Sequence, residues 1–160
     1  VMASDLLKAQ AVYETVFPTE LLPMKGADRD SDGFSLAGHE GALLINFWAT
    51  WCAPCVHELP DLAAAAKGFA DRGEALDVVL ISTDRKGSAH AQAFLDERGI
   101  DGVISAYNPT SSWPRALGLR GLPSSYLISA DRTKIYLIQG PAKWADEAIM
   151  DEIAAKILIP

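Results

Sequence analysis

Cys52 and Cys55 are the only cysteines in this 160-residue chain, and two residues separate them. The run Leu43 to Trp48, apolar apart from Asn46, leads into the pair, and a helix-forming run follows from Ala53. A strand, then Cys-x-x-Cys, then a helix is an order suited to thiol–disulfide chemistry. Thiolate is the reactive form of cysteine, and the positive end of a helix favours it. Cys52 is therefore expected at the helix start, reachable and nucleophilic at neutral pH. Cys55, inside the first turn, is expected to be more buried and placed to attack a mixed disulfide formed at Cys52. Glu58 lies three residues further on, one helical turn along the same face. A carboxylate partly desolvated beside a thiolate is disfavoured in its charged form. Its pKa should therefore rise, and it could trade a proton with Cys55.

Two soft sulfurs also suit metals. Zinc needs four ligands, and His39, His57 and His90 are the only histidines. His57 is expected on another part of the helix from Cys55, at the surface. Cu(I) carriage is the alternative functional class. Met2, Met24 and Met150 all lie far from the pair in sequence. The reading is therefore one of no metal and no bound cofactor, only a redox-active Cys52–Cys55 disulfide.

These side chains need a scaffold. Leu43 to Trp48 reads as a buried central strand, with Trp48 in the core by alternation. Trp51, next to Cys52, is expected half-exposed, a flat contact for a partner chain. Pro54 suits the first helical position. The helix is expected over 53–72, stopped by Gly73 and kinked at Pro60. Further on, Leu76 to Ser82 reads as a strand and Ser88 to Arg98 as a helix. A short strand at 103–106 and a short helix at 112–117 follow. Strands over 125–129 and 134–139 flank a turn at Asp131-Arg132. A closing helix over 144–157 has Ile149, Ile153 and Ile157 on one face. Trp113 and Trp144 are read as packing residues. Upstream, Asp5 to Phe17 reads as an amphipathic helix capped by Ser4 and ended by Pro18. The pattern is βαβ, then mixed elements, then a ββα end: an α/β class.

The totals fit one domain with a proper core. Of the residues, 49% are hydrophobic and 22% charged, and the net charge is −7. With no basic stripe and no long apolar run, nucleic acid and a membrane span are both poor fits. A leader or anchor upstream of Val1 is left open by the sequence.

Phe47-Trp48-Ala49-Thr50-Trp51-Cys52-Ala53-Pro54-Cys55 resembles the active-site run of thioredoxin-fold proteins. It is most similar to the TlpA/ResA-like branch, which includes reductases of bacterial cytochrome c maturation. Gly121-Leu122-Pro123 resembles that fold's cis-proline loop. Glu58 falls where the branch carries an acidic residue. Thioredoxin itself has a buried Asp where this chain has Asn46, so the resemblance moves the acid–base role to Glu58. It implies a thioredoxin-like three-layer sandwich, a mixed sheet with helices on both faces. Residues 33–157 would be the redoxin core and 1–32 an N-terminal helix and extension. It further implies a cis Leu122–Pro123 bond that turns the Leu122 backbone toward the sulfurs, where a client strand could pair. The same ring would help keep a metal from between the sulfurs. The resemblance implies client protein thiols and disulfides as partners and a DsbD/CcdA-type membrane electron donor. A monomer, periplasmic or anchored facing the periplasm, completes the expectation. A general cytoplasmic thioredoxin is the remaining alternative.

Overall fold

A computed structural model describes residues 9–13, 15–25 and 33–159. Its elements in chain order begin with three short strands, β1 (Gln10–Ala11), β2 (Leu22–Pro23) and β3 (Gly33–Phe34). Strand β4 (Ala42–Trp48), helix α1 (Ala53–Asp71), strand β5 (Leu76–Ser82) and helix α2 (Ser88–Glu97) follow. Then come β6 (Ile104–Tyr107), α3 (Ser112–Leu117), β7 (Ser124–Ile128), β8 (Ile135–Gln139) and α4 (Glu147–Ile153). The last helix passes into a π-helical stretch over Ala154–Leu158.

Six strands form one mixed sheet in the order β1-β8-β7-β4-β5-β6, and β2 and β3 form a separate antiparallel pair. The β4–β5 and β5–β6 pairs are parallel, with α1 and α2 supplying the crossovers that parallel neighbours require. The β4–β7 and β7–β8 pairs are antiparallel. All seven residues of β4 are buried, as a strand covered on both faces must be. Alternation sorts its side chains. Leu44 and Trp48 pack with Leu59, Leu62 and Phe69 of α1, and with α2 and α4. Leu43, Ile45 and Phe47 pack on the other face with Trp113 of α3 and Phe34 of the small hairpin. Asn46, in register with Leu44 and Trp48, therefore faces α1. The fold is the expected three-layer α/β sandwich, although three of the four helices share one face.

Where the expected N-terminal helix reaches the described residues, the chain is extended. Gln10–Ala11 pairs antiparallel with Tyr136 and Leu137 of β8. Residues 5–8, and the proposed cap at Ser4, lie outside the described residues. The apolar spacing there does not mark one buried face: Phe17 is buried, but Val16 is 83% exposed. The closing helix also starts later than 144. The Asp146 carboxylate accepts the Ala148 and Ile149 N–H groups at 3.0 and 3.4 Å and caps α4 there. Trp144 is thereby left in the preceding loop. Helix α1 runs through Pro60 without a break.

At the far end of β4 the hairpin turn is clasped by Arg132, a left-handed residue with φ 65°. Its guanidinium donates to the carbonyls of Gly41, Ser129, Leu36 and His39. The neighbouring Asp131 accepts the Thr133 hydroxyl and N–H and the Ser129 hydroxyl, which hold its carboxyl down to about 2.

Candidate active site

Strand β4 ends at Trp48, and the next four residues turn the chain into α1. Backbone bonds and one buried acid shape that turn. Cys52 N–H donates to the Ala49 carbonyl at 3.1 Å, and Thr83 N–H donates to the Trp48 carbonyl at 2.9 Å. The stronger anchor is Asp84, buried just past the end of β5. Its two carboxylate oxygens accept the Thr50 N–H at 3.1 and 3.0 Å, and one accepts the Thr50 hydroxyl at 2.6 Å. The Ser82 hydroxyl donates to it as well, at 2.8 Å. His90 Nε2 lies 3.2 Å from the Thr50 hydroxyl, whose single proton is directed at Asp84. The imidazole nitrogen therefore serves as donor there.

Cys52 is the N-cap of α1, and its Sγ accepts the Cys55 N–H at 3.4 Å. No acidic side chain sits in the first turn, so nothing else competes for the positive end of this 19-residue helix. Ala53 takes the first helical position and Pro54 the second. Either site has an N–H without an intrahelical partner, so proline removes nothing there. Cys52 and Cys55 are bonded as a disulfide. Cys52 keeps 6% of its surface exposed, Cys55 none, and Trp51 stands out at 73%. Trp51 is thus more open than expected, and Pro54 and His57 are also exposed.

The Leu122–Pro123 bond is cis. Ser124 pairs with Phe47, so Pro123 falls one register position further, beside Trp48 and the departing cysteine loop. Pro123 is buried and Leu122 half-buried. The Pro123 carbonyl accepts the Gly140 N–H at 2.9 Å, which ties this loop to the end of β8.

Glu58 occupies a closed polar nest and is 3% exposed. One oxygen accepts Asn46 Nδ2 at 2.8 Å. The other accepts the Ala142 N–H at 3.1 Å and the Trp144 indole N–H at 2.9 Å. Asn46 Nδ2 also donates to the Ser125 hydroxyl, directly across the β4–β7 pair, at 2.9 Å. Desolvation raises the Glu58 pKa, and its three hydrogen bonds pull the other way without cancelling the rise. Trp144 is therefore more than packing: it supplies a proton donor to the acid. Sequence reasoning missed this, and it missed Asp84 as the anchor of the cysteine loop. The only local signal for Asp84 was an acid placed two residues past the end of a mostly apolar strand.

A carboxyl whose native pKa is raised holds its proton more tightly in the folded than in the unfolded chain. Stability must then fall as pH rises from the ordinary glutamate value of 4.5 through the raised native one. Glu58→Gln should remove that slope. The amide oxygen would keep the Ala142 and Trp144 donors, and its NH2 would face an Asn46 turned to present Oδ1. That oxygen is buried and has no partner in the native arrangement. The expected loss of stability is therefore small, about 1 kcal/mol or less. Denaturant midpoints from pH 4 upward, native against variant, check this; an unchanged slope would remove Glu58 as its source. The pH dependence of thiol reactivity should flatten in the same variant.

Among the described residues, no three His, Cys, Asp or Glu side chains come together as a metal site. Among the same residues, no helix is long and apolar enough to cross a membrane.

A family profile described as Redoxin matches residues 17–154. The thiol:disulfide interchange protein CycY of Rhizobium leguminosarum bv. viciae is 34% identical over 99 residues, 62% of this chain and 50% of CycY. The chain thus spans about half the length of curated relatives of this kind. The thiol-disulfide oxidoreductase ResA of Bacillus subtilis (strain 168) is 24% identical over 138 residues, 81% of this chain and 75% of ResA. Among solved structures, a protein described as thiol:disulfide interchange protein DsbE of Chlorobium tepidum superposes with TM-score 0.74 at 23% identity. That match covers 92% of this chain and 99% of the other.

Proposed function

The chain belongs to the Redoxin family, and we propose that it is a thiol–disulfide oxidoreductase that reduces disulfides of client proteins through Cys52 and Cys55. One observation carries the reading. The two sulfurs form a disulfide at the start of a long helix, both buried, the first with 6% of its surface still open to solvent and the second with none. That asymmetry divides the labour. In the reduced protein, the Cys52 thiolate attacks one sulfur of a client disulfide. A new Cys52–client bond forms, the client bond breaks, and the other client sulfur leaves as a thiolate that takes up a proton. Cys55 then gives up its proton and attacks Cys52 Sγ. The internal disulfide re-forms and the second client thiol is released. Two electrons pass from protein to client, and a dithiol donor must return them.

Glu58 is the acid–base group of this scheme. It lies one turn beyond Cys55, shielded from water, and exchanges the Cys55 proton as the two forms interconvert. Trp51, Pro54, Leu122 and Pro123 form the client-binding rim. The pair works without a bound cofactor or metal, and the protein acts as a monomer. The resemblance of the Phe47–Cys55 run to TlpA/ResA-like proteins supports a place outside the cytoplasm. It also supports a membrane electron donor of DsbD/CcdA type and clients of cytochrome c maturation or copper-centre assembly.

Equilibration of the pair with glutathione buffers tests the direction. A reductant should show a potential near or below about −270 mV, and a value near about −120 mV would mark an oxidant and overturn the reading.

A further inference from the structure

The rim around Cys52 is electrically lopsided, and nothing in the exchange chemistry requires that. On one side a cleft of about 480 Å³ opens against Trp51, with Thr50 and Asp84 at its base and Arg85, Lys86 and His90 around it. Arg85 and Lys86 are exposed, and among the described residues neither is engaged in a salt bridge. Asp84 offsets one of these charges, but it is buried and its oxygens are taken by Thr50 and Ser82. On the other side of the first turns of α1, a cleft of about 630 Å³ is lined by Asp61, Asp146, Lys143 and His57, and backs onto the buried Glu58. One flank is thus basic and the other acidic, in a chain whose net charge is −7.

The basic flank is also held rigidly to the cysteine loop. The Asp84 carboxylate that fixes Thr50 belongs to the same turn that carries Arg85 and Lys86. That turn is closed by the Gly87 N–H donating to the Asp84 carbonyl at 3.2 Å. Trp51, Cys52 and the backbone that carries the two cations are therefore held in one fixed arrangement, which lowers the ordering cost of a partner.

We propose that this surface docks the client, and that its occupant is an acidic segment of the client chain flanking the cysteine that bonds to Cys52. The inference rests on the thiol–disulfide reading above and adds the chemical class of the preferred client. The indole of Trp51 supplies apolar contact, and Arg85 and Lys86 pair with client carboxylates. In an acidic protein that would otherwise repel such a client, they also steer its approach.

The test uses the reduced protein and three peptides of one sequence, each with a single cysteine blocked as a mixed disulfide with 2-mercaptoethanol. Two glutamates, two glutamines or two lysines flank that cysteine. Reduction is followed by stopped-flow tryptophan fluorescence. The glutamate peptide should react about fivefold faster than the glutamine peptide at low salt, and the gap should close by about 0.5 M NaCl. In Arg85→Glu/Lys86→Glu the glutamate-to-glutamine rate ratio should fall below one. Equal rates in the native protein, a faster lysine peptide, or a ratio unmoved by the double substitution would overturn the docking proposal alone. If the native protein reduces none of the peptides, nor neutral hydroxyethyl disulfide, the exchange reading itself falls.

Discussion

Cys52→Ser should abolish client reduction, while Cys55→Ser should leave the client covalently captured. The asymmetry follows from position. Cys52 sits at the helix cap, buried but for 6% of its surface, and is the one of the two sulfurs with any surface to meet a client. A serine hydroxyl there is a poor nucleophile and cannot form the sulfur–sulfur bond, so turnover should drop by at least about 10³-fold. Cys55 is fully covered and reaches only Cys52. Removing its sulfur deletes the resolving step but leaves the first attack intact, and the mixed disulfide accumulates. Non-reducing electrophoresis and intact mass should show an adduct with Cys55→Ser and none with Cys52→Ser. An adduct with Cys52→Ser instead would reverse the assignment of roles.

The second large effect is expected at Asn46→Asp. Asn46 Nδ2 lies 2.8 Å from a Glu58 oxygen in a site closed to solvent. A carboxylate in its place would face another at that distance, and two such groups cannot both ionise. The pair would hold one proton well above the usual carboxylate range. Native protein would then bind more protons than unfolded chain, so stability should fall as pH rises. Near pH 8 the variant should be less stable than native by about 3 kcal/mol or more, and near pH 5 most of that deficit should vanish. Urea midpoints at the two pH values decide the matter. Equal midpoints at both would show that the nest tolerates two negative charges.

This polar nest shows where sequence reasoning reached its limit. The cysteine pair, Glu58 and the strand–helix frame around them were legible because they depend on local spacing. A run apolar apart from Asn46 specified β4, and the 3.6-residue period placed Glu58 one turn beyond Cys55. Alternation along β4 puts Asn46 on the α1 face once Leu44 and Trp48 are seen packed there. Two of the three partners of Glu58, however, come from 84 and 86 residues away, where Ala142 and Trp144 lie in a loop with no motif of its own. Asp84 reaches Thr50 across 34 residues. The first segment failed for the same reason. Gln10–Ala11 is extended because the β8 edge offers it unpaired N–H and C=O groups, a non-local match that outweighs helical periodicity. Trp144 reads as packing from the sequence because nothing beside it suggests chemistry. The Asp146 cap releases the indole toward the acid.

The Arg132 clasp has a practical consequence for handling the molecule. It grips the carbonyl just before β4, while the sulfurs leave from the strand's other end. Seven residues of extended chain separate the two ends, roughly 23 Å. A tether attached at the Asp131 turn would therefore leave the reactive pole pointing away from an electrode or bead, with room for a macromolecule to approach it.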